Sequence, residues 1–532
     1  MNQALLLAVL LAAVVAGGVA AKRFSLPYPI VFVIGGIALP FIPGLPALTL
    51  DPNLIFLIVL PPLLFAAGWT TDWFAFRHNL RPIGLLAIGL VIFTTLGIAW
   101  ISHAMIGLSW PMAFALGAIV APPDAVAAEA IFERLSVPRR IVTILTGEGL
   151  VNDGTALVLY RFAVAAAVAG TFSVRHFALT FVLVAVGGVA VGLACGVAVE
   201  WVLRFLRARD LNDSTISTVV ILLAPYAAYL PGEVLGVSGV LAVVAAAMYL
   251  GRRATVILDS ESRIVGGSVW DVVTLLLNAF VFLLIGLQLR TIIASIGQSA
   301  LSFALGAAVV CAAVILLRII WVIPATYLPR MLVPRIRKSD PAPSWRSVAL
   351  IAYSGMRGIV SLAAALALPY TTTSGAPLHG RSQIIVITLA VIFVTLVGQG
   401  LTLAPLIRWL GLTEVLDGRR RGTDVRIRAL EAGVARLHEL ERSFSSAVEW
   451  ETAGRLLREY EERIKHLRGH LDSEADGADQ TRRESAVDHR LSKDALRAER
   501  AEISRLRNAG EIPDAIYRDI EYDLDLATLR LS

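Results

Sequence analysis

The sequence predicts an all-α, polytopic membrane protein of about thirteen transmembrane helices, with inverted repeats and discontinuous helices, followed by a charged helical tail. Three observations carry that prediction. Hydrophobic residues make up 57% of the 532-residue chain and charged residues 17%, against roughly 45–50% and 25% in a soluble chain, so the excess apolar surface must meet lipid. The apolar residues come in continuous runs rather than alternating ones, and in a bilayer that leaves helices, not barrel strands, to satisfy the backbone. The charge is also unevenly divided: residues 1–412 hold 25 Lys and Arg against 15 Asp and Glu, whereas residues 413–532 hold 22 against 26. The formal charge of +6 therefore averages two parts in different solvents, a membrane domain (1–412) and a cytoplasmic tail (413–532). A soluble enzyme and a nucleic-acid-binding protein are both disfavoured; the expected partner is the lipid bilayer.

Crossing a hydrocarbon core of about 30 Å takes about 20 helical residues. Runs of that kind fall near 3–21, 26–44, 53–70, 81–105, 109–131, 140–170, 176–208, 214–231, 235–250, 268–289, 299–328, 346–370 and 382–411. The first lacks a basic stretch before it and is followed by Lys22 and Arg23, so it reads as a retained span rather than a cleaved leader. Eighteen Lys and Arg, from Lys22 to Arg346, fall in one alternate set of loops, and only Arg175, Arg290 and Arg381 in the other. Basic loops stay in the cytoplasm, which places the N-terminus outside and the tail inside. Spans one to six can be laid beside spans eight to thirteen, each half with a fifth span interrupted by helix breakers, a recurrent transporter plan. Cys195 and Cys311 lie in apolar runs and read as small buried residues.

An ionisable residue deep in a span costs at least a few kcal/mol and is a functional candidate by default. Asp124, Glu129, Glu148, Asp153 and Arg357 qualify, with Arg161 and Arg318 nearer helix ends; Asp72, Glu133, Glu200 and Asp271 read as interfacial. In Ala121-Pro122-Pro123-Asp124 two consecutive prolines should break the helix and free carbonyls, that of Pro123 included, beside an acid. Such a cluster suits a small hard cation; the plainer alternative is a kink with Asp124 capping the second half-helix. In Gly147-Glu148-Gly149-Leu150-Val151-Asn152-Asp153, Glu148 and Asn152 share a helix face while Asp153 is turned about 100° away. One acid can therefore pair inside the protein while the other faces a cavity and exchanges a proton for a cation. Arg357, in Gly355-Met356-Arg357-Gly358, stays charged and needs a carboxylate; Glu148 is the expected partner.

These motifs, with Val397-Gly398-Gln399-Gly400 after them, resemble the sodium/proton exchangers of the monovalent cation:proton antiporter-1 family, bacterial members especially, over essentially residues 1–412. The resemblance implies secondary active exchange of Na+ or Li+ for H+ by alternating access, without a cofactor beyond the transported ions. It implies that Asp153 binds the cation and carries the proton, that Asp124 helps form the Na+ site, and that Glu148 and Arg357 form a structural ion pair. The Asn152-Asp153 pair, rather than two acids, implies electroneutral exchange. The family fold implies a homodimer in which a core domain with two crossed, unwound helices moves against a dimerisation domain. Ala66 and Gly149 stand where some relatives carry polar groups.

A K+/H+ antiporter is the nearest alternative, since selectivity depends on cavity size and ligand number. A passive cation channel would need a carbonyl filter that the sequence does not show. An intramembrane protease rests only on the short match Gly236-Val237-Ser238-Gly239, for which small-residue helix packing is the plainer reading. The tail shows helical periodicity near 423–470, 480–508 and 511–530, with a flexible linker expected at Asp472–Gly477. It reads either as solvated charged helices or as a pH-sensing or dimer-contacting element.

Overall fold

The structure is a computed structural model and describes residues 3–24, 27–39, 55–169, 174–211, 213–295, 300–373, 375–412, 417–441, 446–476, 479–508, 520 and 524. The chain divides into two compact units, Met1–Thr413 and Glu414–Ser532.

The first unit is built of helices: α1 (Gln3–Phe24), α2 (Tyr28–Ala38), α3 (Ile55–Thr70), α4 (Leu80–Ile106), α5 (Trp110–Val120), α6 (Ala125–Leu135), α7 (Arg139–Ala169), α8 (Val174–Ala208), α9 (Ser214–Val234), α10 (Gly239–Ile257), α11 (Ser260–Ser295), α12 (Ala300–Leu332), α13 (Trp345–Tyr353), α14 (Ile359–Leu366) and α15 (Arg381–Leu410). Among the described residues eight of them, α4, α7 to α12 and α15, are long and apolar enough to cross a bilayer, and α2, α3 and α5 are shorter apolar helices. The expected spans near 109–131 and 346–370 are each two half-helices, α5 with α6 and α13 with α14.

Polar side chains start several of these helices by taking up free N–H groups. Asp72 accepts from Phe74 and Ala75, Asp213 from Thr215, and Ser344 from Ser347. Ser238, the candidate of the protease alternative, is spent in the same way: its Oγ accepts from Leu241 N at 3.2 Å and starts α10. Glu200, expected at the interface, is 5% exposed and is neutralised by Arg204, Arg253 and the Tyr249 hydroxyl.

Two hydrophobic cores organise the bundle. The larger joins α1, α2, α4 to α7 and α12 to α15 with the second half of α11. The other centres on α10 and packs it against α3, α8 and α9 and the first half of α11.

In the second unit, α16 (Asp417–Glu441) and α17 (Ala447–Asp476) pack on one another, with Arg468 pairing to Glu431 at 2.5 Å, and α18 (Asp479–Asn508) follows. One helix expected near 423–470 is thus a hairpin of two. The expected linker is instead helical through Asp476, as the continuation of α17. Most of the third expected piece, 511–530, lies outside the described residues, as do the side chains of Glu133, Arg175 and Arg290.

Candidate functional site

Two broken helices cross at the centre of the first unit. Pro122 and Pro123 end α5, so residues 121–124 run unwound between α5 and α6, and residues 354–358 run unwound between α13 and α14. The two breaks touch backbone to backbone: Asp124 N donates to Met356 O at 2.6 Å. Glycine is required at the contact, since a Cβ on Gly358 would overlap the Asp124 carboxylate.

Each break leaves helix-end carbonyls without partners, and buried side chains take them up. Arg357 Nε donates to Val120 O, the last residue of α5, at 3.1 Å, and its Nη1 donates to Gly355 O. At the end of α13, Ser354 Oγ donates to Leu350 O at 2.8 Å, Gln399 Nε2 to Tyr353 O at 3.2 Å and Arg318 Nε to Ile351 O at 3.2 Å. The glutamine of the Val397–Gly400 motif is therefore a support for the broken twelfth span.

The ion pair expected between Glu148 and Arg357 is corrected by this geometry. Glu148 meets Arg318 instead, in a two-pronged contact of 2.5 and 2.8 Å, both side chains 1% exposed. Arg357 is occupied by the carbonyls at the helix ends, whose partial negative charge attracts a guanidinium. Gly355 lies between the two arginines: a Cβ there would stand 2.6 Å from Arg318 Cδ and 2.9 Å from Arg357 Nη1.

The remaining acids are arranged around a cavity of about 70 Å³. Asp124 starts α6, its Oδ1 accepting from Val126 N at 3.0 Å; the capping alternative is thus present, and it occupies one of two carboxylate oxygens. Asn152 points away from Asp153, as its position on the helix requires, and donates to Pro123 O at 2.8 Å while its own Oδ1 has no partner. The structure so brings Asp124, Asn152 and Pro123 together at the break. Asp153 lines the cavity with Asp124, half-buried, and among the described residues no hydrogen bond or ion pair engages its carboxylate. Gly149 approaches α6 so closely that a Cβ would meet Ala125 Cβ at 2.7 Å, so a larger side chain there would require α6 to shift. Glu129 also lines the cavity and accepts from the Thr146 hydroxyl. Arg161 lies two turns further along α7 and pairs with Glu233 at 2.7 Å.

Three cavity residues were not legible as candidates when only ionisable groups were weighed: Thr146, Ser361 and Asn278. Asn278 interrupts the apolar run Leu275-Leu276-Leu277-Asn278-Ala279-Phe280, and that interruption is a signal that a scan for buried amides would find. From the crossing, the cavity wall follows Asp153, Leu150, Gly149 and Thr146 along α7 towards the end bearing Arg139 and Arg140. It follows α6 in the same sense, through Ala125, Val126 and Glu129.

The family model described as sodium/hydrogen exchanger, transmembrane, matches residues 9–409. The chain is 33% identical over 532 residues to an uncharacterized Na+/H+ exchanger of Mycobacterium bovis, covering 98% of this chain and 95% of that one. It is 33% identical over 420 residues to a Na+/H+ antiporter of Aphanothece halophytica, covering 78% and 76%. Its fold is similar to that of a sodium proton antiporter from Methanocaldococcus jannaschii, with a TM-score of 0.56 at 20% identity over 78% of this chain and 100% of that one.

Proposed function

This chain belongs to the transmembrane sodium/hydrogen exchanger family, and we propose that Asp153 is the carboxylate that alternately carries the cation and the proton. The chain is a multi-pass membrane cation/proton antiporter. The observation that carries the reading of Asp153 is its half-buried carboxylate, which lines a central cavity and which no arginine or hydrogen bond neutralises among the described residues.

Charge accounting supports one-for-one exchange. Glu148 is cancelled by Arg318, and Arg357 is held by carbonyl dipoles at the crossing. Asn152 is neutral and engaged with Pro123. Asp124 places its second oxygen against the unwound segment at Gly358 and acts as a fixed wall of the site. Glu129, further along the cavity wall, accepts from the Thr146 hydroxyl. At the crossing one movable charge remains, on Asp153, so the site takes either one monovalent cation or one proton. Competition for the same carboxylate couples the two fluxes without any further linkage.

Sodium is the cation proposed, with lithium as a substitute, because carboxylate oxygens are hard ligands in a small space. The loop charges support a cytoplasmic tail and an outside N-terminus in the cell membrane, which makes the cavity open to the cytoplasm. The protein is proposed to act as a homodimer, testable from the mass of the detergent-solubilised particle. Proton flux driven by Na+, Li+ and K+ gradients in proteoliposomes tests the function as a whole. Wild type is expected to respond to Na+ and Li+ regardless of whether the potential is clamped, and Asp153→Asn to be silent. Undiminished flux in Asp153→Asn would overturn the assignment.

A further inference from the structure

We propose that Asn278 is a cation ligand contributed from outside the crossed helices, present at the site only in the conformation in which the cavity opens along α6 and α7. The inference rests on the reading of Asp153 and Asp124 above and adds a residue that determines affinity and ion preference on one face.

Asn278 lies at the middle of the 36-residue α11 and is 7% exposed. It lines the same cavity as Asp124 and Asp153. Among the described residues no hydrogen bond engages its carboxamide, in contrast with the other two buried asparagines. Asn79 accepts from Arg140 and donates to Ala75 O, and Asn152 donates to Pro123 O. The amide has access to the cavity, so a cation entering there can take its carbonyl oxygen. A neutral oxygen adds to the coordination shell of a hard cation without adding charge, so it leaves one-for-one exchange intact.

The element that carries Asn278 is anchored elsewhere than the acids. Asp124 and Asp153 ride on the crossing and on α7, which pack with α5. The helix of Asn278 packs mainly along α2 and against α9, with lighter contacts to α3, α14 and α15. Its contact with α2 is backbone-close just beyond Asn278, where a Cβ on Gly36 or on Gly286 would strike the carbonyl oxygen of Leu283 or of Val33. Close small-residue packing of this kind makes α2 and α11 a stiff pair. If the crossing shifts relative to that pair during alternating access, Asp124 and Asp153 travel with the ion while Asn278 stays behind. The cation then has one ligand fewer on the opposite face, which favours its release there.

The test uses the full-length chain in right-side-out and everted vesicles, with Na+ and Li+ as probes. Asn278→Ala is expected to raise the apparent KM for Na+ about fivefold or more, the effect of one lost neutral contact, on the face to which the cavity opens. The value on the opposite face is expected to stay within about twofold, since no ligand is lost there. The Na+ to Li+ ratio is expected to change on the same face only. Asn278→Asp, nearly identical in shape, should fold as wild type and shift the pH profile of exchange on that face, because a second titratable group then stands at the site. Unchanged KM on both faces, or an equal rise on both, overturns the proposal. Asp153→Asn in the same vesicles separates the outcomes. Exchange surviving in it removes the underlying site reading, whereas silence in Asp153→Asn beside wild-type kinetics in Asn278→Ala removes the role of Asn278 alone.

Discussion

Glu148 and Arg318 are each 1% exposed, so neither charge can be left alone without a large penalty. Replacing Arg318 with Leu strands a buried carboxylate and is expected to lower stability by about 3–5 kcal/mol, read as thermal unfolding in detergent. The double variant Arg318→Leu with Glu148→Leu should recover most of that loss, because an apolar pair of similar volume replaces a desolvated ionic one. Arg357→Leu is expected to behave differently: it frees the carbonyls of Val120 and Gly355 and should abolish exchange by loosening the crossing, a loss that no change at Glu148 restores. The sequence made Glu148 and Arg357 visible as expensive charges in lipid and read Arg318 as nearer a helix end, whereas Arg318 is buried in the middle of α12; it separated the structural acid from the free one by their angle on the helix. It could not say which arginine Glu148 meets. Arg357 stands in a recognisable motif and Arg318 in a plain apolar run, and nothing local to either reports that 170 residues of chain bring Arg318 to the carboxylate.

The two breaks were legible because their causes are local: consecutive prolines in one span and Gly355 and Gly358 flanking an arginine in another. That they cross came only from the family resemblance, since the contact of Asp124 N with Met356 O joins segments far apart in sequence. Gly358→Ala tests that contact, as its methyl would occupy the space of the Asp124 carboxylate. We expect transport to be lost in proteoliposomes while the helical content by circular dichroism is retained. A second long-range junction was equally hidden. Asp340, which no sequence motif marks, receives Arg81 at 2.5 Å, Arg140 at 2.6 Å and Arg330 at 2.8 Å, and so ties together the ends of α4, α7 and α12. Partial burial alone would raise its pKa, but the hydrogen bond from Arg140 and the three guanidiniums outweigh it and hold the carboxyl below its usual range. A lowered folded-state value means that the stabilisation is fully present above the ordinary carboxylate pKa and is lost as pH falls through the folded one. Asp340→Asn is therefore expected to cost about 1–2 kcal/mol at neutral pH. The gap between the melting curves of the variant and wild type should close as the pH drops below about 4.

At the scale of the molecule, the cavity wall runs towards Arg139 and Arg140, the end that the proposed orientation places in the cytoplasm. If Asp153 carries both ions as proposed, protons and cations reaching it from that face compete for one carboxylate, and the competition has a quantitative signature. When the site is mostly protonated, each unit fall in pH on that face should raise the apparent KM for Na+ by up to about tenfold, with the maximal rate unchanged at saturating Na+. Sites for the two ions that were separate would instead lower the maximal rate and leave KM in place. Titrating both ions in everted vesicles distinguishes the two patterns. The same experiment assigns the tail, which forms its own compact unit from Glu414, with internal pairs such as Arg468 and Glu431. If the tail consists of solvated helices, a chain ending at Thr413 should give the same KM values at every pH. If it senses pH, truncation should move the curve along the pH axis while the competitive pattern remains, because that pattern belongs to Asp153.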